Sequence, residues 1–277
     1  MTITLILLVA ALMTVVWMAL RLKMQVRSEQ LLREEAETSK HQFIAEQERN
    51  RLLKQEMTSN IAHELKTPVS SIRGYLEILL ADKPVSDEQR KYFMERCYSQ
   101  TLRLSDLIND VSLINKLEES NDLFTREPVD IREQAEEAVR ELTLNAEQHH
   151  TTIENLLPEK MVVNGNGMLL YSIFRNLIEN AIEYAGDSCR VVIQCYKPDD
   201  DSHYFIQLYD TGKGVDNEYL PKLFDRFLRI DKGRSRKSGG TGLGLSIVKH
   251  AVLFHEGDIY VKNRDGGGLE FFFSIKR

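Results

Sequence analysis

Ser59-Asn60-Ile61-Ala62-His63-Glu64-Leu65-Lys66-Thr67-Pro68-Val69 is the stretch on which the fold of the chain turns. Around it the apolar positions Leu53, Met57, Ile61, Leu65, Val69, Ile72, Leu76 and Leu79 recur at steps of four and three, the periodicity of an amphipathic helix. His63 falls off that stripe. At about 100° per residue it lies about 200° from Leu65 and about 160° from Ile61, which points its imidazole to solvent. Thr67 follows one turn later on the same face, and the Glu64 carboxylate stands where it can hydrogen-bond a ring nitrogen. Pro68 lacks an N–H and is expected to bend or loosen the helix just past this group.

Outward from this helix, Ser86 and Gln89 form a capping box after Pro84. They open a second helix with the stripe Phe93, Cys97, Leu104, Leu107, Val111 and Ile114. The pair makes an all-α helical hairpin with too little core to stand alone, so two copies are expected to form a dimeric four-helix bundle, a homodimer.

Beyond Pro128 the periodicity changes. Asp130 with Glu133 reads as a helix start, Ile153 to Leu157 and Met161 to Val163 as short strands, and Met168 to Tyr184 as a helix. Val191, Ile193 and Cys195 alternate, as do Tyr204, Ile206 and Leu208, and strand-like runs at Gly257 to Lys262 and Gly268 to Ile275 end the chain. This order fits an α+β domain, a mixed sheet covered on one face by helices, and no βαβ alternation supports a doubly wound parallel sheet.

Three segments of this half suit a nucleotide. Asn176 and Asn180 stand four apart, so both amides leave one helix face, with Glu179 and Tyr184 near its edges. Amide oxygens are hard ligands for Mg²⁺, which needs only one or two of them when it also bridges phosphates. Asp210-Thr211-Gly212-Lys213-Gly214 follows an alternating strand, where glycines let the backbone turn sharply and approach a planar ring. Gly239-Gly240-Thr241-Gly242-Leu243-Gly244 opens a helix whose first N–H groups can meet phosphate. It has neither the Gly-Lys-Ser/Thr ending of a Walker loop nor the preceding unit of a Rossmann turn. Between these glycine segments, Lys222, Arg226, Arg229, Lys232, Arg234, Arg236 and Lys237 stand against Asp225 and Asp231, and suggest a basic lid over a polyphosphate.

Met1 to Leu20 carries no charge and is long enough to be a transmembrane helix candidate. Arg21, Lys23 and Arg27 follow it, which favours a retained anchor over a cleaved signal and places the remainder in the cytoplasm. The anchor is either the first membrane helix or the second of a longer parent. Residues 21–56 hold eight basic and seven acidic side chains with no Pro or Gly, a composition that fits a helical stalk or a charged linker. Thirty-six Lys and Arg against 42 Asp and Glu leave a formal charge of −6, so no nucleic acid footprint is expected. Cys97, Cys189 and Cys195 lack the spacing of a zinc site or a disulfide framework.

The stretch 59–69 closely resembles the phosphoacceptor box of sensor histidine kinases. The later segments resemble, in order and spacing, the Bergerat fold those kinases share with gyrase-type topoisomerases, mismatch-repair ATPases and heat-shock chaperones. The resemblance covers about residues 57–277, and Phe224-Asp225-Arg226-Phe227 matches the kinases' phenylalanine box. Met57 stands where an aromatic is common. The resemblance implies that His63 takes a phosphoryl group on a ring nitrogen, Glu64 accepts the proton from the other, and Thr67 positions water for phosphatase action. It further implies Asn180 on Mg²⁺, Asn176 beside the phosphates, Asp210 on the adenine amine, Gly212 and Gly214 under the ring, and Gly240, Gly242 and Gly244 at the phosphates. Tyr184, Arg226, Arg229, Thr241 and Leu243 complete the ATP site. Hydrolytic relatives carry a glutamate base where Asn176 stands, which favours a kinase with a protein-borne acceptor. Glu183 departs from the Lys or Arg that kinases commonly show, and a carboxylate there would repel phosphates.

The expectation is a two-component sensor histidine kinase that autophosphorylates His63 from MgATP and serves a response regulator receiver domain. Its parts are a membrane helix at 1–20, a stalk at 21–50, a dimerisation and phosphotransfer domain at 51–120 and a Bergerat-type ATP-binding domain at 125–277. It is a single-pass protein of the inner or plasma membrane. The rivals are a Bergerat ATPase and a catalytically inactive nucleotide-sensing scaffold.

Overall fold

The structure, a computed structural model, describes residues 2–81, 84–119, 123–186, 188–197, 202–230 and 240–277, with only part of the side chains before residue 54. The chain falls into two units, 1–61 and 62–277. Helix α1 spans Thr2–Leu80, so the segment weighed as stalk or linker is helical throughout. The membrane helix expected at 1–20 is helical from Thr2, but most of its side chains lie outside the described residues. Among the described residues no helix is long and apolar enough to cross a membrane.

In the second unit, the end of α1 pairs with α2 (Asp87–Glu119). The capping box forms as expected: Ser86 N donates to Gln89 Oε1 and Gln89 N donates to Ser86 Oγ, each at 3.2 Å. Pro68 sits inside α1 without ending it. The helix carries it because proline removes only one N–H and the neighbouring turns keep theirs. Val69 and Leu76 of the apolar stripe are 52% and 44% exposed in the single chain, which leaves that side of the hairpin open.

The remainder is α+β. Strands β1 (Glu127–Asp130) and β3 (Val162–Gly165) pair antiparallel, while β2 (Thr152–Asn155), β4 (Arg190–Cys195), β5 (His203–Asp210), β7 (Leu269–Lys276) and β6 (Ile259–Asn263) form one mixed sheet in that spatial order. Among the described strands only β2 and β4 run parallel. Helices α3 (Ile131–Gln148), α4 (Gly167–Tyr184) and α5 (Gly244–Phe254) bury Ala138, Leu142, Ile173, Leu177 and Val248 in a common core with Ile206, Leu208, Phe271 and Phe273 of the sheet.

Caps explain where these elements begin. Asp130 accepts from Arg132 N at 3.0 Å and opens α3, and the same carboxylate accepts from Met161 N at 3.2 Å. With that N–H taken, β3 begins at Val162, one residue later than expected. The β2 strand ends at Asn155, whose side chain accepts from Leu157 N at 3.2 Å, so the run expected to reach Leu157 turns early. Asn166 caps α4 by accepting from Leu169 N at 3.1 Å, while the Asn166 N–H donates to buried His255 Nε2 at 3.0 Å. That bond ties the start of α4 to the end of α5.

Candidate active site

His63 lies off the packed face of α1 as its spacing requires, with its side chain 74% exposed. Its Nδ1 stands 3.9 Å from Glu64 Oε1, and the Thr67 hydroxyl donates to the His63 carbonyl at 3.3 Å. Glu64 is far less accessible. Arg229 Nη1 donates to its two oxygens at 3.3 and 3.2 Å, and Arg103 Nη2 from α2 to Oε2 at 3.5 Å.

A cavity of about 1040 Å³ opens beside this group. Asn176, Asn180 and Tyr184 line it from α4, Asp210 and Gly214 from the end of β5 and its turn, Arg229 from the segment after a short 3-10 turn (Leu220–Lys222), Gly240, Thr241 and Gly242 from the turn before α5, and Gly244 from its first residue. These ten predicted nucleotide residues therefore meet in one place. Backbone shape explains the glycines that matter most. Gly242 has φ +73° and packs so closely that a Cβ would fall 2.9 Å from Phe227 Cα, and a Cβ on Gly244 would fall 2.6 Å from Asn176 Oδ1. Asn176 is steadied by donating from Nδ2 to Ser172 O at 2.8 Å.

Asp210 is buried. Its Oδ1 accepts from Gly212 N at 2.8 Å and its Oδ2 from Leu269 N at 3.2 Å. Burial pushes this carboxyl up, and those two N–H groups oppose the shift. Burial, with Glu179 adding to it, pushes Glu183 up to about 7, while Arg103 and Arg229 pull it back. A carboxyl held in that range is partly protonated near neutrality, which softens the repulsion its position in the cavity implies.

Gly212, Leu243 and Arg226 are not brought to the cavity wall. Gly212 approaches Ala185, where a Cβ would fall 2.4 Å from its Cα. Leu243 is fully buried, and its N–H donates to Thr241 Oγ1 at 3.2 Å. Arg226 Nη2 lies 3.2 Å from His250 Nε2 of α5. Lys232, Arg234, Arg236, Lys237 and Gly239 lie outside the described residues.

The cavity wall also holds residues to which the sequence assigns no role, Asp110, Arg103 and Lys213 among them. Asp110 of α2 accepts from the Thr241 hydroxyl at 2.8 Å, Arg103 joins Glu64, and Lys213 borders Asp210's turn. One signal was available for the first two. Arg103, Leu107, Asp110 and Ile114 recur at steps of four and three, so two charged side chains share a face with two buried apolar ones.

Residues 53–120 match the His Kinase A (phospho-acceptor) domain, and residues 165–277 match the histidine kinase-, DNA gyrase B- and HSP90-like ATPase family. The chain is 31% identical over 232 residues to the sensor histidine kinase WalK of Bacillus subtilis, covering 84% of this chain and 38% of that protein. The chain belongs to the sensor histidine kinase family. In this chain the phospho-acceptor match holds His63, Glu64 and Thr67, and the ATPase match holds α4, α5 and both glycine segments. Another relative, the phosphate regulon sensor protein PhoR of Pseudomonas aeruginosa, is 33% identical over 228 residues, covering 79% of this chain and 49% of PhoR. The chain thus spans less than half the length of either relative. Its fold is also that of the Acinetobacter baumannii histidine kinase AdeS, with a TM-score of 0.60 at 22% identity over 77% of this chain and 97% of AdeS. The histidine kinase ThkA, solved in complex with the response regulator protein TrrA, gives a TM-score of 0.61 at 22% identity over 80% of this chain and 61% of that one.

Proposed function

We propose that the chain catalyses ATP-dependent phosphorylation of its own His63 and passes the phosphoryl group to an aspartate of a response regulator receiver domain. One observation carries this reading: a solvent-exposed histidine has a carboxylate 3.9 Å from one ring nitrogen, in the same unit as a nucleotide-sized cavity. Because Nδ1 faces Glu64, Nε2 is the nucleophile. Its lone pair forms the N–P bond, the bond from the γ phosphorus to the bridging oxygen breaks with its electrons leaving on ADP, and the Nδ1 proton moves toward Glu64.

In the cavity, Asp210 accepts from the adenine amine and Asn176 stands beside the phosphates. Gly240, Thr241, Gly242 and Gly244 supply the turn that meets them, with Tyr184 and Arg229 at the margin. Mg²⁺ fits Asn180, a neutral hard oxygen donor on the cavity wall, because an ion that keeps waters and phosphate oxygens needs one such ligand. When bound, the ion would neutralise phosphate charge. Thr67 acts on water during regulator dephosphorylation. Two chains pair through the open apolar side of the hairpin, which the dimerisation role of His Kinase A domains supports. The uncharged run 1–20, followed by Arg21, Lys23 and Arg27, supports a membrane anchor with the catalytic part in the cytoplasm.

The test is labelling of residues 48–277 with γ-phosphate in Mg²⁺. The label is expected to be acid-labile and base-stable, and absent from His63→Gln. An acid-stable label, or one that survives this substitution, refutes the assignment.

A further inference from the structure

Glu64 is gripped by two guanidinium groups that belong to different parts of the molecule. Arg103 stands on α2 of the same hairpin and meets Oε2 at 3.5 Å, and Arg229 stands on the ATP-binding side and meets both oxygens at 3.2 and 3.3 Å. The Arg103 and Arg229 side chains are 15% exposed and Glu64 18%, so these charges meet with little solvent screening. Both arginines also line the cavity. A polyphosphate entering there competes with Glu64 for Arg229, which follows Leu228 beside the glycine turn, where a Cβ on Gly242 would fall 3.4 Å from Leu228 O. The partition of the carboxylate is already set: Arg103 takes Oε2, and Oε1 is the oxygen nearer His63 Nδ1, at 3.9 Å.

We propose that Arg103 is a positioning residue for phosphoryl transfer: it anchors Oε2 of Glu64 from the second hairpin helix, so that Oε1 stays aimed at His63 Nδ1 once Arg229 turns to the nucleotide phosphates. The inference rests on Glu64 as the proton acceptor. Without Arg103 the carboxylate follows Arg229 or swings to water, and the proton on Nδ1 loses its acceptor as the Nε2–P bond forms.

The experiment compares Arg103→Gln, Arg103→Lys, Glu64→Gln and the double variant Glu64→Gln/Arg103→Gln, reading autophosphorylation kcat, KM and ATP affinity by calorimetry. Arg103→Gln is expected to lower kcat by about ten- to a hundred-fold with ATP affinity within about threefold of the parent, and Arg103→Lys, which keeps a cation, to recover most of the rate. In the Glu64→Gln background the same change is expected to cost less than about threefold, because the group it positions is already gone. Losses that multiply in the double variant, or loss of ATP binding in both the Gln and Lys variants, overturn the inference. A slow Glu64→Gln with an unimpaired Arg103→Gln overturns it alone, whereas a Glu64→Gln that labels like the parent overturns the role of Glu64 and this inference together.

Discussion

The Thr241 hydroxyl donates to the Asp110 carboxylate at 2.8 Å, so the glycine turn before α5 is bonded to the second hairpin helix. Burial pushes Asp110 up, and the Thr241 hydroxyl is the first of the groups that oppose this. Thr241→Val is expected to cost about 1–2 kcal/mol, because it leaves a half-buried carboxylate without its donor, and Asp110→Ala a similar amount. Thermal unfolding of both single variants and the double variant measures the pair. Strict additivity would show that the bond contributes nothing.

Glu183 makes folding pH-dependent. Its carboxyl rises from 4.5 to about 7 on folding, through burial first and Glu179 second, against Arg103 and Arg229. Between those values the folded chain holds a proton that the unfolded chain has lost, so stability falls as pH rises through the window. Glu183→Gln, which mimics the protonated form, is expected to match the parent near pH 4 and to exceed it by on the order of 1–2 kcal/mol above pH 7, after discounting for solvent. Melting curves across pH 4–8 test this. An advantage that grew toward acid would have the wrong sign.

Asp210→Asn replaces an oxygen that accepts from Leu269 N or Gly212 N with an amide that cannot accept. A stability loss of about 1–3 kcal/mol is expected. Calorimetry should also show ATP weakened more than a nucleotide whose base lacks the exocyclic amine. Equal weakening of the two would remove the adenine-reading role.

Thr67→Ala is expected to leave His63 labelling within about threefold of the parent, since the threonine hydroxyl is a poor base and bonds the His63 carbonyl rather than the ring. Regulator dephosphorylation should fall by about ten- to a thousand-fold, the loss expected from removing one group that orients water. Measuring both rates on one preparation decides it, and collapse of labelling with intact dephosphorylation would invert the assignment.

What could be read from sequence was what the chain settles locally. Ser86 and Gln89 are three residues apart, and Asn176 and Asn180 four, so local geometry alone places them. Arg103 and Glu64 are 39 residues apart and Thr241 and Asp110 131, and their meetings depend on how α2 docks. That Gly212 and Leu243 stand off the cavity wall has the same origin. Both sit within glycine-rich segments that do reach the cavity, but a segment's position does not say which of its residues turns inward.

The parallel pairing of β2 with β4 joins Thr152 to Arg190, and the chain between them contains all of α4. Closing so long a loop costs entropy before any cross-strand bond returns it, whereas the helical hairpin draws on near neighbours. The hairpin bearing His63 can therefore condense early, and the asparagines of α4 reach their place only when the sheet closes around them. The acceptor proposed at His63 is therefore expected to gain its helical frame before the cavity that would serve it has closed, with dimer pairing completing the hairpin's core.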